Sequence, residues 1–159
     1  AAGAEPAGRK PTTVELDAAQ SVFSQDGRVY RPVRRLCHEI LAKLPMADQP
    51  GYAPTAMFSV LQPRTAIPAH TGSSNTRLIA HLPLIIPDGC RFRVGNDTRP
   101  WIMGESFVFD DTIEHEAWND SDQLRAVLIF DVWNPLLSEA ERAMVAAMTT
   151  ALNAYNLQA

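Results

Sequence analysis

From Met57 onward, apolar residues recur at every second position in short runs that are separated by turn signals. The strand-like runs are Met57–Gln62, Arg77–Ile86, Arg91–Val94, Ser106–Asp110 and Leu124–Trp133. Most of them are separated by segments typical of turns, namely Pro87-Asp-Gly89, Gly95-Asn-Asp97 and Asn119-Asp-Ser-Asp122. Many short strands at this spacing predict a mainly β fold, a double-stranded β-helix of the jelly-roll or cupin-like kind.

Helical periodicity flanks this β region on both sides. The segment Arg31–Leu44 carries apolar residues at helical spacing and is stopped by Pro45, which predicts an amphipathic helix that covers a sheet. Near the C-terminus, Ser138 and Glu141 have the spacing of a capping box. The apolar stripe that follows predicts a closing helix, and it consists of Met144, Val145, Met148 and Leu152.

A chain of 159 residues with 46% apolar and 20% charged content suits one domain with one core. Residues 1–13 are rich in Ala, Gly and Pro and lack periodicity, so we expect a mobile leader or linker there and a single domain over residues 14–159. Cys37 and Cys90 show no C-x-x-C spacing, which favours free thiols in a reducing compartment.

The charge and hydropathy of the chain exclude several partners. A formal net charge of −4 provides no general attraction for nucleic acid or for an anionic membrane. No apolar run reaches the ~18 residues of a membrane span. No signal-peptide pattern is present. We therefore expect a cytoplasmic protein that acts on a small-molecule or peptide substrate, and the sequence does not indicate its oligomeric state.

Two histidines in unlike surroundings are the best candidates for chemistry. His70 lies in Pro68-Ala-His-Thr-Gly72, His115 lies in Asp110-Asp-Thr-Ile-Glu-His-Glu116, and Arg125 follows on an apolar strand. Neutral imidazoles from two β-elements are a usual way for a β-barrel to hold one transition metal, and a nearby cation can bind an anionic co-substrate. The pattern predicts a metal-dependent oxygenase.

Each of these residues also has a structural interpretation. A lone histidine in a strand is more often a hydrogen-bonded core residue than a ligand, and an arginine that opens a strand usually pairs with a surface carboxylate such as Asp120 or Asp122. The three tryptophans could line a substrate wall or be structural; they are Trp101, Trp118 and Trp133. The spacing alone leaves these alternatives open.

Strand alternation adds a second group of polar residues. In the run Arg77–Ile86, Arg77, Ile79, His81 and Ile85 share one face, and the apolar residues between them form the other face. In Leu124–Trp133, Arg125 shares its face with Val127, Ile129, Asp131 and Trp133. We therefore expect Arg125 and His81 to face one cavity inside the barrel.

The stretch from Phe58 to Pro135 resembles the catalytic domain of the aspartyl/asparaginyl β-hydroxylase family, whose members are iron(II)- and 2-oxoglutarate-dependent oxygenases. The segments that carry the resemblance are Phe58-Ser-Val-Leu, His70-Thr-Gly-Ser-Ser-Asn-Thr-Arg-Leu78, His81-Leu-Pro-Leu84, Phe109-Asp-Asp-Thr-Ile-Glu-His-Glu-Ala-Trp-Asn119 and Phe130-Asp-Val-Trp133. Together these segments are highly specific, whereas any one alone is weak.

The resemblance implies that His70 and His115 are the iron ligands. In the wider group of 2-oxoglutarate oxygenases a carboxylate lies two residues after the first histidine, and here that position is Gly72. The same glycine is typical of the β-hydroxylase family, in which water is expected to take the vacant coordination position. Asp111 matches the family acid that orients this water.

The resemblance also implies a binding site for 2-oxoglutarate. Arg125 matches the family's anchor for the distal carboxylate, Ser59 matches its hydroxyl partner, and His81 matches a contact to the carboxylate beside the keto group. Family members carry an arginine two residues before that histidine, and this chain has Ile79 there. We expect Arg77, which lies one step further along the same face, to take over this role, with Arg93 as an alternative.

The sequence therefore predicts a dioxygenase that uses Fe(II), 2-oxoglutarate and O2 to hydroxylate an unactivated C–H bond. The first candidate target is the β-carbon of an Asp or Asn residue, and the alternative is a lipid acyl chain. A different class is a cupin-like metal enzyme without 2-oxoglutarate, in which Asp110, Glu114 or Glu116 completes the metal site. A third class is a non-catalytic module that binds metal or 2-oxoglutarate.

Overall fold

The computed structural model describes residues 12–15, 37, 39–47, 49 and 56–156. Its strands in chain order are β1 (Thr12–Glu15), β2 (Ala56–Leu61), β3 (Thr65–His70), β4 (Arg77–Ile85), β5 (Cys90–Val94), β6 (Asp97–Arg99), β7 (Phe107–Phe109), β8 (His115–Asn119) and β9 (Arg125–Trp133). A C-terminal helix spans Glu139–Asn156. Cys37 and residues 39–41 are also helical.

The strands form two antiparallel sheets. The larger sheet has the order β1-β2-β9-β4-β7, and the smaller has the order β3-β8-β5-β6. Consecutive strands therefore alternate between the sheets in places, as from β2 to β3 and from β8 to β9, which is how a jelly roll is wound. The predicted mainly β, cupin-like fold with flanking helices is confirmed.

Two clusters of buried apolar residues lie on opposite faces of the larger sheet. Cys37 and Leu41 pack on its outer face, where the predicted N-terminal helix was expected, against Phe58, Val60, Ala80, Leu128 and Phe130. The second cluster lies between the sheets and consists of Cys90, Phe92, Trp101, Ala117 and Val127. Strand β9 thus sends Leu128 to one cluster and Val127 to the other, as its alternation predicts. Both cysteines are free and buried.

Strands β1, β3, β6 and β8 were absent from the sequence prediction, and each is short. In β3 the register also shifts between Ile67 and His70, around Pro68, which has no N–H to donate to a ladder. Thr12 and Thr13 lie in β1 and pair with Val60 and Ser59 of β2, although the predicted leader extended to residue 13. Residues 1–11, and residues 31–36 and 38 of the predicted first helix, lie outside the described residues.

The C-terminal helix begins with the predicted capping box. Ser138 Oγ donates to a Glu141 carboxylate oxygen at 2.7 Å, and the backbone N–H of Glu141 points back to Ser138 Oγ at 3.4 Å. The apolar stripe does not close the described core, because Met144, Met148 and Leu152 are 60%, 65% and 59% exposed. None of the helices in the described parts of the chain is long and apolar enough to span a membrane.

Asn119 joins the two sheets where β8 ends. Its Nδ2 donates to the carbonyls of Leu61, Gln62 and Gln123 at 2.8–3.1 Å. Its Oδ1 accepts from Ser121 N–H and Oγ and from the Cys90 thiol. The Asn119 side chain is fully buried, and its bond to the Leu61 carbonyl lies in the interior.

We expect Asn119→Ala to lower the free energy of unfolding by about 2–4 kcal/mol, because it removes all six hydrogen bonds of a fully buried amide, including the one to the Leu61 carbonyl. Urea denaturation measures this loss. Asn96→Ala, in the exposed turn between β5 and β6, is the matched control and should change stability by less than about 0.5 kcal/mol. Equal effects of the two substitutions would contradict a joining role for Asn119.

Candidate metal and co-substrate site

The two predicted metal ligands face each other across neighbouring strands. His70 ends β3, His115 begins β8, and they are direct partners in the antiparallel register of the smaller sheet. Their ring centroids are 4.2 Å apart, with the ring planes tilted by 56°. The register shift around Pro68 therefore sets which residue of β3 lies opposite His115.

The hydrogen bonds of both rings leave their outer nitrogens available. His70 Nδ1 lies 2.8 Å from the carbonyl of Pro68, and His115 Nδ1 lies 2.9 Å from the carbonyl of Ile113. Because a carbonyl only accepts, each Nδ1 carries the proton and each Nε2 carries a lone pair. Burial and the nearby His70 ring lower the pKa of His115, which favours the neutral form that binds metal.

The carboxylate of Asp111 occupies the space where a side chain at position 72 would lie. A Cβ built on Gly72 would be 2.1 Å from Asp111 Oδ2 and 2.2 Å from its Cγ. The backbone φ of Gly72 is not positive, so the backbone conformation would allow another residue. Glycine is required here because the Asp111 carboxylate leaves no space for a Cβ. A third ligand from this position, as in the two-histidine-one-carboxylate arrangement, is therefore sterically excluded.

Asp111 belongs to a buried cluster of two carboxylates around one guanidinium. Arg77 lies 3.5 Å from Asp111 Oδ2 and 3.2 Å from Asp131 Oδ1, and all three side chains are buried. Burial raises the pKa of Asp131 to about 6, and the Arg77 charge opposes this shift. Asp111 Oδ1 is buried and has no hydrogen-bond partner among the described residues, so it can accept a bond from a water next to the histidines.

Arg125 lies at the start of β9 and is only 1% exposed. Its Nη1 donates to the carbonyl and to the hydroxyl of Ser59, at 3.1 and 3.2 Å. Its guanidinium carbon lies 4.8 Å from the ring centroid of Trp101. Burial lowers the pKa of Arg125 to about 10, so the group remains charged near pH 7. Among the described residues no carboxylate forms an ion pair with it.

His81 lies in an aromatic box between the sheets. Its ring centroid is 5.0–5.2 Å from those of Phe92, Phe107 and Phe109. Trp101 Nε1 donates to His81 Nδ1 at 3.3 Å. Burial, with the positive charges of Arg125 and His115 adding to it, lowers the pKa of His81 to about 3. His81 is therefore a neutral polar group in an otherwise apolar wall.

The predicted metal ligands and the predicted 2-oxoglutarate-binding residues lie on different sheets. The histidines at 70 and 115 belong to the smaller sheet, and the four residues predicted to bind 2-oxoglutarate belong to the larger sheet, namely Ser59, Arg77, His81 and Arg125. Asp131 and Trp101 were not predicted as site residues. The alternation of β9 already placed Asp131 on the inner face, whereas nothing in the sequence connected Trp101 to Arg125 or His81.

The carboxylates of the cupin-like alternative are engaged elsewhere. Asp110 accepts hydrogen bonds from the N–H and hydroxyl of Thr112, and Glu114 and Glu116 both pair with Arg93. Arg93 therefore does not supply the inner clamp. In the described parts of the chain, no group of three or more His, Cys, Asp and Glu side chains is arranged to hold a metal ion.

A cavity of about 410 Å³ lies between the edge strands β6 and β7 and adjoins aromatic rings that pack against His115. Phe92 and Phe109 line it, and their ring centroids are also 6.0 and 5.1 Å from that of His115. The remaining lining residues are Val94, Asp97, Arg99, Pro100, Ile102, Glu105, Ser106, Phe107 and Val108. A substrate bound there would contact the same aromatic rings that pack against His115.

Comparison with known proteins agrees with the resemblance. Residues 20–135 match the family described as aspartyl/asparaginyl beta-hydroxylase. The mouse aspartyl/asparaginyl beta-hydroxylase is 42% identical over 92 residues, which are 57% of this chain and 12% of the mouse protein. An ornithine lipid ester-linked acyl 2-hydroxylase from Rhizobium tropici is 44% identical over 101 residues, 62% of this chain and 36% of that protein. The chain therefore matches only a minor part of these relatives.

Among solved structures, a Cupin 2 conserved barrel domain protein from Salinispora arenicola is similar with a TM-score of 0.41 and 15% identity, over 65% of this chain and 78% of that one. A predicted oxalate decarboxylase from Thermotoga maritima has a TM-score of 0.42 and 14% identity, over 50% of this chain and 65% of that one.

We expect Gly72→Ala to destabilise the protein by about 1–3 kcal/mol, because the new methyl group collides with the Asp111 carboxylate. Adding Asp111→Ala removes the collision, so the double variant should lose less stability than the sum of the two single variants. A double-mutant cycle of unfolding free energies measures this coupling, which we expect to reach about 1 kcal/mol or more.

Gly104→Ala is the matched control, since a Cβ there meets no atom within 4 Å and the only strain is that of a φ of 82°. The loss of unfolding free energy caused by Gly104→Ala should simply add to that caused by Asp111→Ala. Additivity at Gly72 as well would show that the carboxylate does not occupy this space.

Proposed function

The chain belongs to the aspartyl/asparaginyl β-hydroxylase family, and on this premise we propose that it is an Fe(II)- and 2-oxoglutarate-dependent dioxygenase that hydroxylates an unactivated C–H bond. The observation that carries the proposal is the buried guanidinium of Arg125, which has no carboxylate partner among the described residues and is connected to His115 through the rings of Trp101 and Phe92. A buried charge without a counter-ion costs several kcal/mol, so this position is suited to an anionic ligand.

The metal would be held by Nε2 of His70 and Nε2 of His115. The donor set fits iron(II), because two imidazoles with fixed Nδ1–H groups and no third protein ligand leave several coordination positions for water, co-substrate and O2. The Asp111 carboxylate, with its unpartnered Oδ1, would hold a water in the position that a third protein ligand takes elsewhere. The Arg77 guanidinium, 3.5 Å from Asp111 Oδ2, holds that carboxylate in place.

2-Oxoglutarate would be held by the larger sheet. Arg125 and the Ser59 hydroxyl would bind the distal carboxylate, since a guanidinium fork can donate two charge-assisted hydrogen bonds to it. His81 would donate to the inner carboxylate, and its neutral state avoids adding a second buried cation beside Arg125. Arg77 engages Asp111 and Asp131, so we propose that its contribution to the inner carboxylate is that of a nearby positive charge.

Bound iron would supply the O2 chemistry that couples conversion of 2-oxoglutarate to succinate and CO2 with the insertion of one oxygen atom into a C–H bond. The protein residues orient the partners and exclude water. The rings of Phe92, Phe107 and Phe109 form the apolar wall between the histidines and the adjoining cavity.

For the substrate, we propose first the β-carbon of an Asp or Asn residue in a peptide or of the free amino acid, as the family name of the relatives suggests. A second candidate is an acyl chain, which is favoured by the mainly apolar lining of the adjoining cavity and is in line with the name of the Rhizobium tropici relative. The exposed Asp97 and Arg99 of the cavity lining can contact the polar part of either substrate.

We expect the protein, supplied with Fe(II), 2-oxoglutarate and ascorbate, to release succinate. His70→Ala and His115→Ala should each reduce turnover by more than about 100-fold, since even the outer partners of metal ligands are worth 10–100-fold. Arg125→Ala should raise the KM for 2-oxoglutarate by about 10- to 100-fold, because charge-assisted hydrogen bonds are lost.

Arg91→Ala is the matched arginine control. Arg91 also lies over a tryptophan, 4.9 Å from the Trp118 ring, but on the surface and paired with Asp120. It should leave the KM unchanged. Turnover that survives both histidine substitutions would remove the metal proposal, and an unchanged KM for 2-oxoglutarate in Arg125→Ala would remove Arg125 as its anchor.

Substrate classes can be separated by mass spectrometry after incubation with a panel of Asp- and Asn-containing peptides, the free amino acids and acylated lipids. We expect the gain of one oxygen atom on a β-carbon. A gain only on an acyl chain would replace the first candidate with the second. Widening the cavity with Val108→Ala should alter the preference within the panel without changing succinate release in the absence of substrate.

A further inference from the structure

Trp101 is the one inward-facing residue in an otherwise exposed connection between β6 and β7. It is 4% exposed, whereas its neighbours Ile102 and Met103 are 56% and 67% exposed. The connection is attached to β4 through a hydrogen bond from Gly104 N–H to the carbonyl of Pro83 at 3.0 Å. The indole is therefore held in the barrel interior by a segment that contributes little else to the core.

The indole N–H determines which nitrogen of His81 carries a proton. An indole nitrogen only donates, so His81 Nδ1, 3.3 Å away, must present a lone pair. With a pKa of about 3 the ring is neutral near pH 7 and holds a single proton, which is then on Nε2. His70 and His115 have the opposite tautomer, because their Nδ1 atoms donate to carbonyls.

This difference separates the chemical roles of the three rings. A histidine with a lone pair on Nε2 can bind a metal through that atom, whereas one with a proton there is a hydrogen-bond donor. The other described ring neighbours of His81 are apolar, namely Phe92, Phe107 and Phe109. Without the Trp101 N–H, the tautomer with the proton on Nδ1 would no longer be excluded.

The face of the same indole contacts Arg125. The guanidinium carbon lies 4.8 Å from the ring centroid, within the range of a cation–π interaction. Ser59 bonds one end of the guanidinium, through Nη1. The indole and Ser59 together restrict the orientation of the Arg125 guanidinium. Its Nε has no hydrogen-bond partner among the described residues.

We propose that Trp101 is a positioning residue for 2-oxoglutarate: its N–H fixes the His81 tautomer that carries the proton on Nε2, and its ring face orients the Arg125 guanidinium. Two side chains from different strands of the larger sheet thereby present N–H donors to the two carboxylates of one dianion. The proposal rests on the proposed function for the identity of the dianion, but the tautomer of His81 is a property of the protein alone.

The test is Trp101→Phe, which keeps an aromatic ring and removes the N–H. Trp118→Phe is the matched control, because it makes the same change at the other tryptophan that lies beside an arginine. The first readout is the pair of ¹⁵N resonances of the His81 ring in metal-free protein. The second is the separation of KM for 2-oxoglutarate from kcat in the iron-loaded enzyme.

We expect wild-type His81 to be protonated on Nε2, and Trp101→Phe to give a mixture of tautomers. The KM for 2-oxoglutarate should rise by about five- to tenfold, the equivalent of about one hydrogen bond, while kcat changes by less than about twofold. Trp118→Phe should leave both the ¹⁵N resonances and the KM as in the wild type.

The proposal is overturned if wild-type His81 carries its proton on Nδ1, a measurement that does not depend on how the variant folds. It is also overturned if Trp101→Phe leaves the tautomer unchanged, or if the KM changes no more than in Trp118→Phe. Failure of the proposed function has a different signature: the wild type itself would neither bind nor consume 2-oxoglutarate, whatever the His81 resonances report.

Discussion

The site depends on the pairing of β3 with β8, which places His70 directly opposite His115. Side chains alternate across a strand, so a slip of one residue in this pairing would turn one imidazole away from the other. The shift around Pro68 sets the register, and the carbonyls of Pro68 and Ile113 then orient both rings. The relative position of the two imidazoles is thus set by backbone geometry before any other side chain contributes.

Two groups of buried charges lie in the interior, one around Arg77 and one around Arg125. Asp111 and Asp131 share the charge of Arg77, whereas Arg125 is held by Ser59 and an aromatic face without a carboxylate partner in the described residues. In the first group each charge lies beside an opposite charge, so the group does not need a ligand to offset its charges. The second has no carboxylate partner among the described residues, and this contrast separates the two groups more clearly than burial does, because both are buried.

The sequence predicted strands β2, β4 and β9 because their alternation is uninterrupted, and with them the inward-facing Arg125 and His81. It did not predict β3 or β8, because the strand signal of β3 is broken by Pro68 and β8 is short. The roles of the histidines therefore came from the family resemblance, not from periodicity. Two contacts had no local signal at all: the Asp111 carboxylate beside Gly72, and the indole of Trp101 against His81 and Arg125.

The division of the site between the two sheets has a thermodynamic consequence. If a ligand chelates the metal on the smaller sheet and binds Arg125 on the larger one, it cross-links the layers of the sandwich. Occupancy then stabilises the packing between them, and by linkage each component tightens the binding of the other. A metal and a dianion bound in this way would each favour the binding of the other, because both would hold the two sheets together.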